Sequence, residues 1–271
     1  MVTPQDVPPW LRRMASAAIE TTWTWVSQLG AIGPDDRRGR RFGAFGEGSL
    51  IAFPPGAIFN ERWIRIGSHT MIGPHVSLTA GMAPGQEMVT DPVVSIGDRT
   101  LIGQGSYIVG HFCVEIGDDI QTGPYVYITD QNHAYADPDV PIGRQWPVES
   151  RVSVGSGSWL GTGVIVLPGA RIGRNVAVGA GSVVVGELPD HCVAVGVPAR
   201  VIKQYVPGDG WVATGDRHNS NTRHSGTTGP GRIADDAGSG DRAPGARATV
   251  ETSPPADDAK FLARRAVPRD E

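Results

Sequence analysis

Several ordinary resources are scarce in this 271-residue chain. It has two cysteines, Cys113 and Cys192, too few for a disulfide-stapled scaffold, and two buried free thiols are expected. No apolar run approaches the ~20 residues of a membrane span. Arg12 and Arg13 precede a segment that Glu20, Thr21 and Thr22 interrupt, so no secretory leader is read there and a cytoplasmic protein is expected. An excess of basic charge is also missing. Twenty-four Lys and Arg stand against 28 Asp and Glu, a net charge of −4, which argues against nucleic acid as a partner. Glycine is abundant instead: 37 residues, about twice the usual share of roughly 7%.

The chain divides by pattern into 1–41, 42–206 and 207–271. The last segment carries few large apolar residues and no period. It cannot bury enough surface to offset its chain entropy, and a tail without fixed structure is expected, with a short helix near Lys260–Ala266. In the first segment, Pro8 and Pro9 start a helix over 8–29. Trp10, Met14, Ala18, Val26 and Leu29 share its face, and Gly30, Gly33 and Pro34 end it. This helix is expected to cover the open end of the fold or pack on a partner subunit. Its tryptophans and Arg12–Arg13 leave a membrane-surface role as the alternative.

The middle segment repeats every six residues. Val154, Leu160, Val166, Ile172, Val178 and Val184 form one run; Ile96, Ile102, Ile108 and Val114 form another. A shift of frame gives Ile116, Thr122 and Ile128, and upstream stand Ile66, Ile72 and Leu78. Glycine follows many of these aliphatics. Six matches neither a helix nor a single strand. It matches a short strand and a tight turn, with the aliphatic side chain pointing into a narrow core. Three such units close a triangular coil, and stacked coils bury one continuous column. A parallel β-helix is therefore predicted. Residues 79–92 and 131–150 break the period and must project from it, where functional loops usually sit.

These hexapeptides, the projecting ITDQNHAYADPDVPI at 128–142 and the closing VVGELPDHCVAVGVPARVI at 184–202 together resemble the hexapeptide-repeat O-acyltransferases of the galactoside and maltose acetyltransferase branch and their polysaccharide-modifying relatives. The resemblance covers about 160 residues. It implies a left-handed parallel β-helix, a hand that local physics would not select. It also implies a homotrimer with sites between subunits, acetyl-CoA or another acyl-CoA as co-substrate, no metal, and a sugar or glycan acceptor.

By the same resemblance His133, 17 residues after Ile116, matches the catalytic histidine. A sugar hydroxyl is a poor nucleophile, and imidazole can take its proton near neutral pH. Thr162 and Ala180, 18 residues apart, fall on one edge of successive coils and match the backbone that holds the pantetheine arm. The Thr162 N–H would also face the oxyanion. Trp159 would line the groove, and Arg200 and Lys203 would meet the nucleotide phosphates. Val185, Gly186 and Glu187 replace the family's Thr-Lys-Asp, which removes one phosphate contact. The family's acceptor-side Asn is missing from 103–113, so His111 and Asn132 stand as candidate acceptor contacts.

Transfer is expected to be direct, because no Ser or Cys adjoins His133 as a nucleophile. Acylation of an amine and a non-catalytic assembly platform are the alternatives. GSGSWLG (155–161) and GAGSVV (179–184) imitate phosphate loops, but their glycines fall at repeat turns. A three-histidine zinc site is not matched either: His111 and His133 are 22 residues apart, and His69 and His75 lie several coils earlier.

Overall fold

The computed structural model describes residues 7–214. The middle of the chain is a parallel β-helix with three faces. Face A has seven strands from Ala44–Phe45 to Glu187–Leu188, face B nine from Leu50–Ile51 to Gly210–Ala213, and face C six from Ile58–Phe59 to Val183–Val184. Each coil runs A, B, C and then climbs to the next.

The six-residue frame sets this register. Ile66, Ile96, Ile116, Val154, Ile172 and Leu188 stack in one column on face A. On face C, Leu78, Ile108, Ile128, Val166 and Val184 do the same. The shift to Ile116, Thr122 and Ile128 is therefore an insertion in the chain but not in the column. All of these side chains are buried and belong to one core. Thr122 is the one polar member of the frame; its hydroxyl accepts the Gly103 N–H at 2.8 Å, so it enters the interior with a partner.

Outward positions differ by face. Face A presents Arg65, Ser95, Glu115, Ser153, Arg171 and Glu187. Face B presents Leu50, Met71, Leu101, Gln121 and Trp159, and face C presents Tyr107, Tyr127, Ile165 and Val183. One face is charged and two are largely apolar.

The middle coils depart from the 18-residue repeat in one place. Val154 and Ile172 are partners one plain coil apart. Ile66 and Ile96, Ile96 and Ile116, and Ile116 and Val154 are partners across longer intervals. The extra residues lie between the end of face C and the start of face A, after Ala80, Gly110 and Asp130. Three excursions thus leave the prism at the same corner.

At the C-terminal end the boundary at 206 moves outward, and at the N-terminal end the helix lies on the first coil. The helix, Pro9–Gly30, forms as read, but none of its side chains is buried. It touches the first coil through Trp23, whose ring lies 6.4 Å from that of Phe53, and through Gly30, whose hydrogen faces the same ring. The first coil is plugged instead by Ile32 and Phe42, both buried, with Ile32 and Ile51 exchanging backbone hydrogen bonds of 2.9 Å. Ile32 lies beyond the helix's periodic pattern, so no periodicity marks its role.

At the other end the ordered chain passes 206. Arg200–Val206 folds back antiparallel on Cys192–Val195, and Gly210–Ala213 pairs with it in turn. Trp211 packs against Tyr205 at 5.7 Å between ring centroids, so apolar residues counted with the tail belong to a hairpin. The remaining tail expectation, including the helix near Lys260–Ala266, lies outside the described residues. Cys113 and Cys192 are free and buried.

The core reading has a direct test. Leu160 is fully buried, whereas its neighbour Trp159 points outward and is 47% exposed. Leu160→Ala is expected to cost ~2–5 kcal/mol in chemical denaturation. A loss below about half a kcal/mol would show that the inward frame is misassigned.

Candidate functional site

The corner between faces C and A gathers polar residues that the core excludes. Asp130 follows the face C strand Tyr127–Thr129 of its coil and is fully buried. Its carboxylate accepts the backbone N–H groups of His111 (2.8 Å), Phe112 (2.8 Å) and Cys113 (2.6 Å) from the preceding coil. Its carbonyl accepts the Ser150 N–H at 2.7 Å. The residue therefore ties down the 111–113 excursion and closes the base of the 131–149 loop. Burial pushes the Asp130 carboxyl above its ordinary range, and the three N–H donors and His111 oppose that shift.

Above this knot the strands Gln131–Asn132 and Val148–Glu149 pair antiparallel and aim the loop outward. His133 follows directly and is exposed. His111 is buried at 6% exposure, and its Nδ1 lies 3.8 Å from Glu149 Oε1. Burial lowers the His111 pKa from 6.5, against the pull of the Asp130 carboxylate, so the neutral imidazole is favoured. The two histidines line one pocket of about 310 Å³, together with Tyr107, Phe59 and Met82. Residues 22 apart in sequence are thus brought together by the climb of one coil. Asn132 pairs with Val148 in the loop ladder and does not line this pocket.

Thr162 and Ala180 stack as the spacing required, at the opposite edge of face C, on the corner with face B. The Gly181 N–H donates to the Thr162 carbonyl at 2.9 Å. A Cβ on Gly123 would stand 2.6 Å from the Thr162 nitrogen, and one on Gly161 2.6 Å from the Ala180 nitrogen, so glycine is required for this approach. Both Thr162 and Ala180 are exposed, and neither N–H donates to a group among the described residues. Trp159 stands outward on face B beside this edge. Arg200 and Lys203 are exposed on the final hairpin; the Arg200 guanidinium donates to the carbonyl of Ala199 at 3.0 Å.

Sequence reasoning passed over Asp130, Glu149, Tyr107, Phe59 and Met82. The available signal was Asp130 itself, an acid immediately after a core strand and three residues before His133. A charge there needs a reason, and the backbone donors supply it.

Comparison with known proteins follows the same lines. The model of bacterial transferase hexapeptides (six repeats) matches residues 151–186, and that of the hexapeptide repeat of succinyl-transferase matches 93–129. A galactoside O-acetyltransferase of Escherichia coli is 32% identical over 128 residues, 44% of this chain and 62% of that protein. A Saccharomyces cerevisiae protein assigned as an acetyltransferase is 32% identical over 189 residues, 60% of this chain and 95% of its own length. The chain spans between 42% and 62% of the length of the Mycobacterium, Escherichia and Lactococcus relatives it matches. The crystal structure of AntD, an N-acyltransferase from Bacillus cereus in complex with dTDP and 3-hydroxybutyryl-CoA, shares the fold with a TM-score of 0.54 at 24% identity, over 64% of this chain and 88% of that one.

The environment of His111 predicts its titration. A folded-state pKa below the ordinary 6.5 means that the unfolded chain takes up the proton first. The stabilising contribution is complete above 6.5 and is lost as pH falls from there through the lower folded-state midpoint. Histidine NMR should give His111 a midpoint below 6.5, and His111→Gln should flatten the acid limb of the melting-temperature profile. A midpoint above 6.5 would mean that Glu149 outweighs burial. The repeat register, the matched models and the yeast relative covered over nearly its whole length agree, and the chain belongs to the hexapeptide-repeat acetyltransferase family.

Proposed function

We propose that the protein is an acyl-CoA-dependent O-acyltransferase that moves an acetyl group to a hydroxyl of a sugar or glycan, with His133 as general base. The observation that carries this reading is the pairing of two half-sites on face C. One edge offers an exposed imidazole in a pocket, and the other offers two backbone N–H groups, on successive coils, that have no partner among the described residues.

The two edges belong to different corners of one prism, so a complete site needs the second edge from another copy. Faces B and C carry the exposed apolar ladders, and face A carries the charged one. This supports a homotrimer in which faces B and C are covered and face A meets water. Each cleft would then contain the His133 pocket of one protomer and the Thr162–Ala180 edge of its neighbour.

In that cleft the pantetheine amides of acetyl-CoA hydrogen-bond along Thr162 and Ala180, Trp159 flanks the groove, and Arg200 and Lys203 meet phosphate. The acceptor hydroxyl lies in the His133 pocket with His111 on the opposite wall. His133 takes the hydroxyl proton as the oxygen attacks the thioester carbonyl. The new C–O bond forms a tetrahedral intermediate whose oxyanion accepts the Thr162 N–H. Its collapse breaks the C–S bond, and the thiolate leaves with the proton returned by the imidazolium.

Two substitutions test the halves separately. His133→Ala and His133→Asn should each lower kcat by ~10²–10⁴-fold in a thiol-release assay, with coenzyme A affinity unchanged. Full turnover in either variant would remove the general-base role. Ala180→Trp places an indole on the proposed pantetheine edge; calorimetry should show loss of coenzyme A binding with oligomeric size preserved. Unchanged affinity would move the coenzyme elsewhere.

A further inference from the structure

The histidine pocket does not end at the histidines. Ala57 and Phe59 line it and also line a second chamber of about 560 Å³, which continues along the same corner toward the first coil. The 81–88 loop walls both chambers: Gly81 and Met82 face the histidine end, and Gln86 and Glu87 face the far end. Asn60 holds this wall in place. Its Nδ2 donates to the carbonyls of Ala80 (2.5 Å) and Ala83 (2.9 Å), and its Oδ1 accepts the Gly85 N–H (2.7 Å). The larger volume therefore lies away from the reacting group, although acetyl transfer itself needs only one hydroxyl at His133.

The far chamber's chemistry narrows its occupant. Arg41 is paired with buried Glu61 at 3.4 Å, and exposed Arg62 shares the chamber with Glu87, so no net charge marks it for a phosphate. The Arg62 guanidinium lies 4.7 Å over the Trp63 ring, which leaves its planar N–H edge for hydrogen bonding. Gln86 Oε1 accepts the Met82 N–H at 2.8 Å, and this leaves the amide NH₂ as a donor. Phe59 supplies an aromatic surface at the junction. Planar donors beside an aromatic ring suit vicinal hydroxyls and the C–H face of a pyranose.

We infer that the acceptor is an extended neutral oligosaccharide, acetylated on the sugar at His133 while further sugars pass Phe59 and occupy the chamber walled by Arg62 and Gln86. The inference rests on the proposed transfer at His133 and specifies its substrate. Binding energy gathered by the remote sugars holds the reacting hydroxyl in place.

A glycan array carrying monosaccharides and neutral oligosaccharides of the same units, probed with the full-length protein, tests this, followed by thiol release with acetyl-CoA on the same sugars. Oligosaccharides should be retained over their monosaccharides, with kcat/KM at least about tenfold higher. Arg62→Ala and Gln86→Ala should each shrink that ratio by about threefold or more. Equal kcat/KM for short and long acceptors, or a ratio indifferent to both variants, overturns the extended site while His133-dependent turnover leaves the transfer reading intact. Preference for sugars bearing carboxylate or phosphate overturns the neutral assignment. No sugar bound or acetylated, or thiol release only with amines, overturns both.

Discussion

The aliphatic column has no second layer to cover it, so each coil must be sealed by the coils above and below. Stacked strands can approach that closely only if the corners between faces are thin. At Gly123 and Gly161 the missing Cβ is what lets the next coil's backbone pass. That requirement has a chemical by-product. A chain turning tightly at a corner directs N–H groups outward instead of into a ladder, and Thr162 and Ala180 expose theirs on consecutive coils. The edge proposed to hold the pantetheine arm follows from the geometry that closes the core.

The same packing decides where the chain can vary. An insertion within a face would break the strand ladders on both sides of it. At a corner it only lengthens the turn. The middle coils place their three excursions at the corner between faces C and A, and the pocket is made of what those excursions carry. Asp130 makes this arrangement rigid. Without it the three N–H groups of 111–113 would leave the ladder with no acceptor. With it, one carboxylate fixes the wall containing His111 and its own backbone fixes the root of the loop containing His133. A buried acid at this position therefore fixes the backbone around both histidines.

The core was readable because its rule is local: an aliphatic residue every six, found in its column except for Val114, which is buried beside the column and pairs with Val94 and Val152. The placement of His133 beside a pocket was readable because a motif surrounds it. What escaped depends on contacts between distant parts of the chain. Asp130 looks like an ordinary loop acid until the preceding coil is placed against it. Phe59 and Met82 become pocket residues only because successive coils are stacked at one corner. Ile32 plugs the first coil from outside any periodic segment, so no pattern in the chain points to it. The hairpin ending at Ala213 was hidden by Gly208 and Gly210, which read equally well as tail composition or as a tight turn.

The contrast between faces connects the fold to the site. A prism with one charged face and two apolar ones is an incomplete object, because Leu101, Tyr107 and Trp159 expose apolar area in ordered rows. Covering faces B and C with other copies would remove that area from water and bring unlike corners together. The corner with variable loops would then meet the corner with invariant geometry. That division suits a transferase with a constant donor and a particular acceptor: the proposed donor edge is fixed by the repeat, and the proposed acceptor wall lies where the chain can change in length and composition. The far chamber beyond Phe59 lies wholly on the side of the excursions, where a specificity for longer acceptors can arise without disturbing the coil edge proposed to meet the coenzyme.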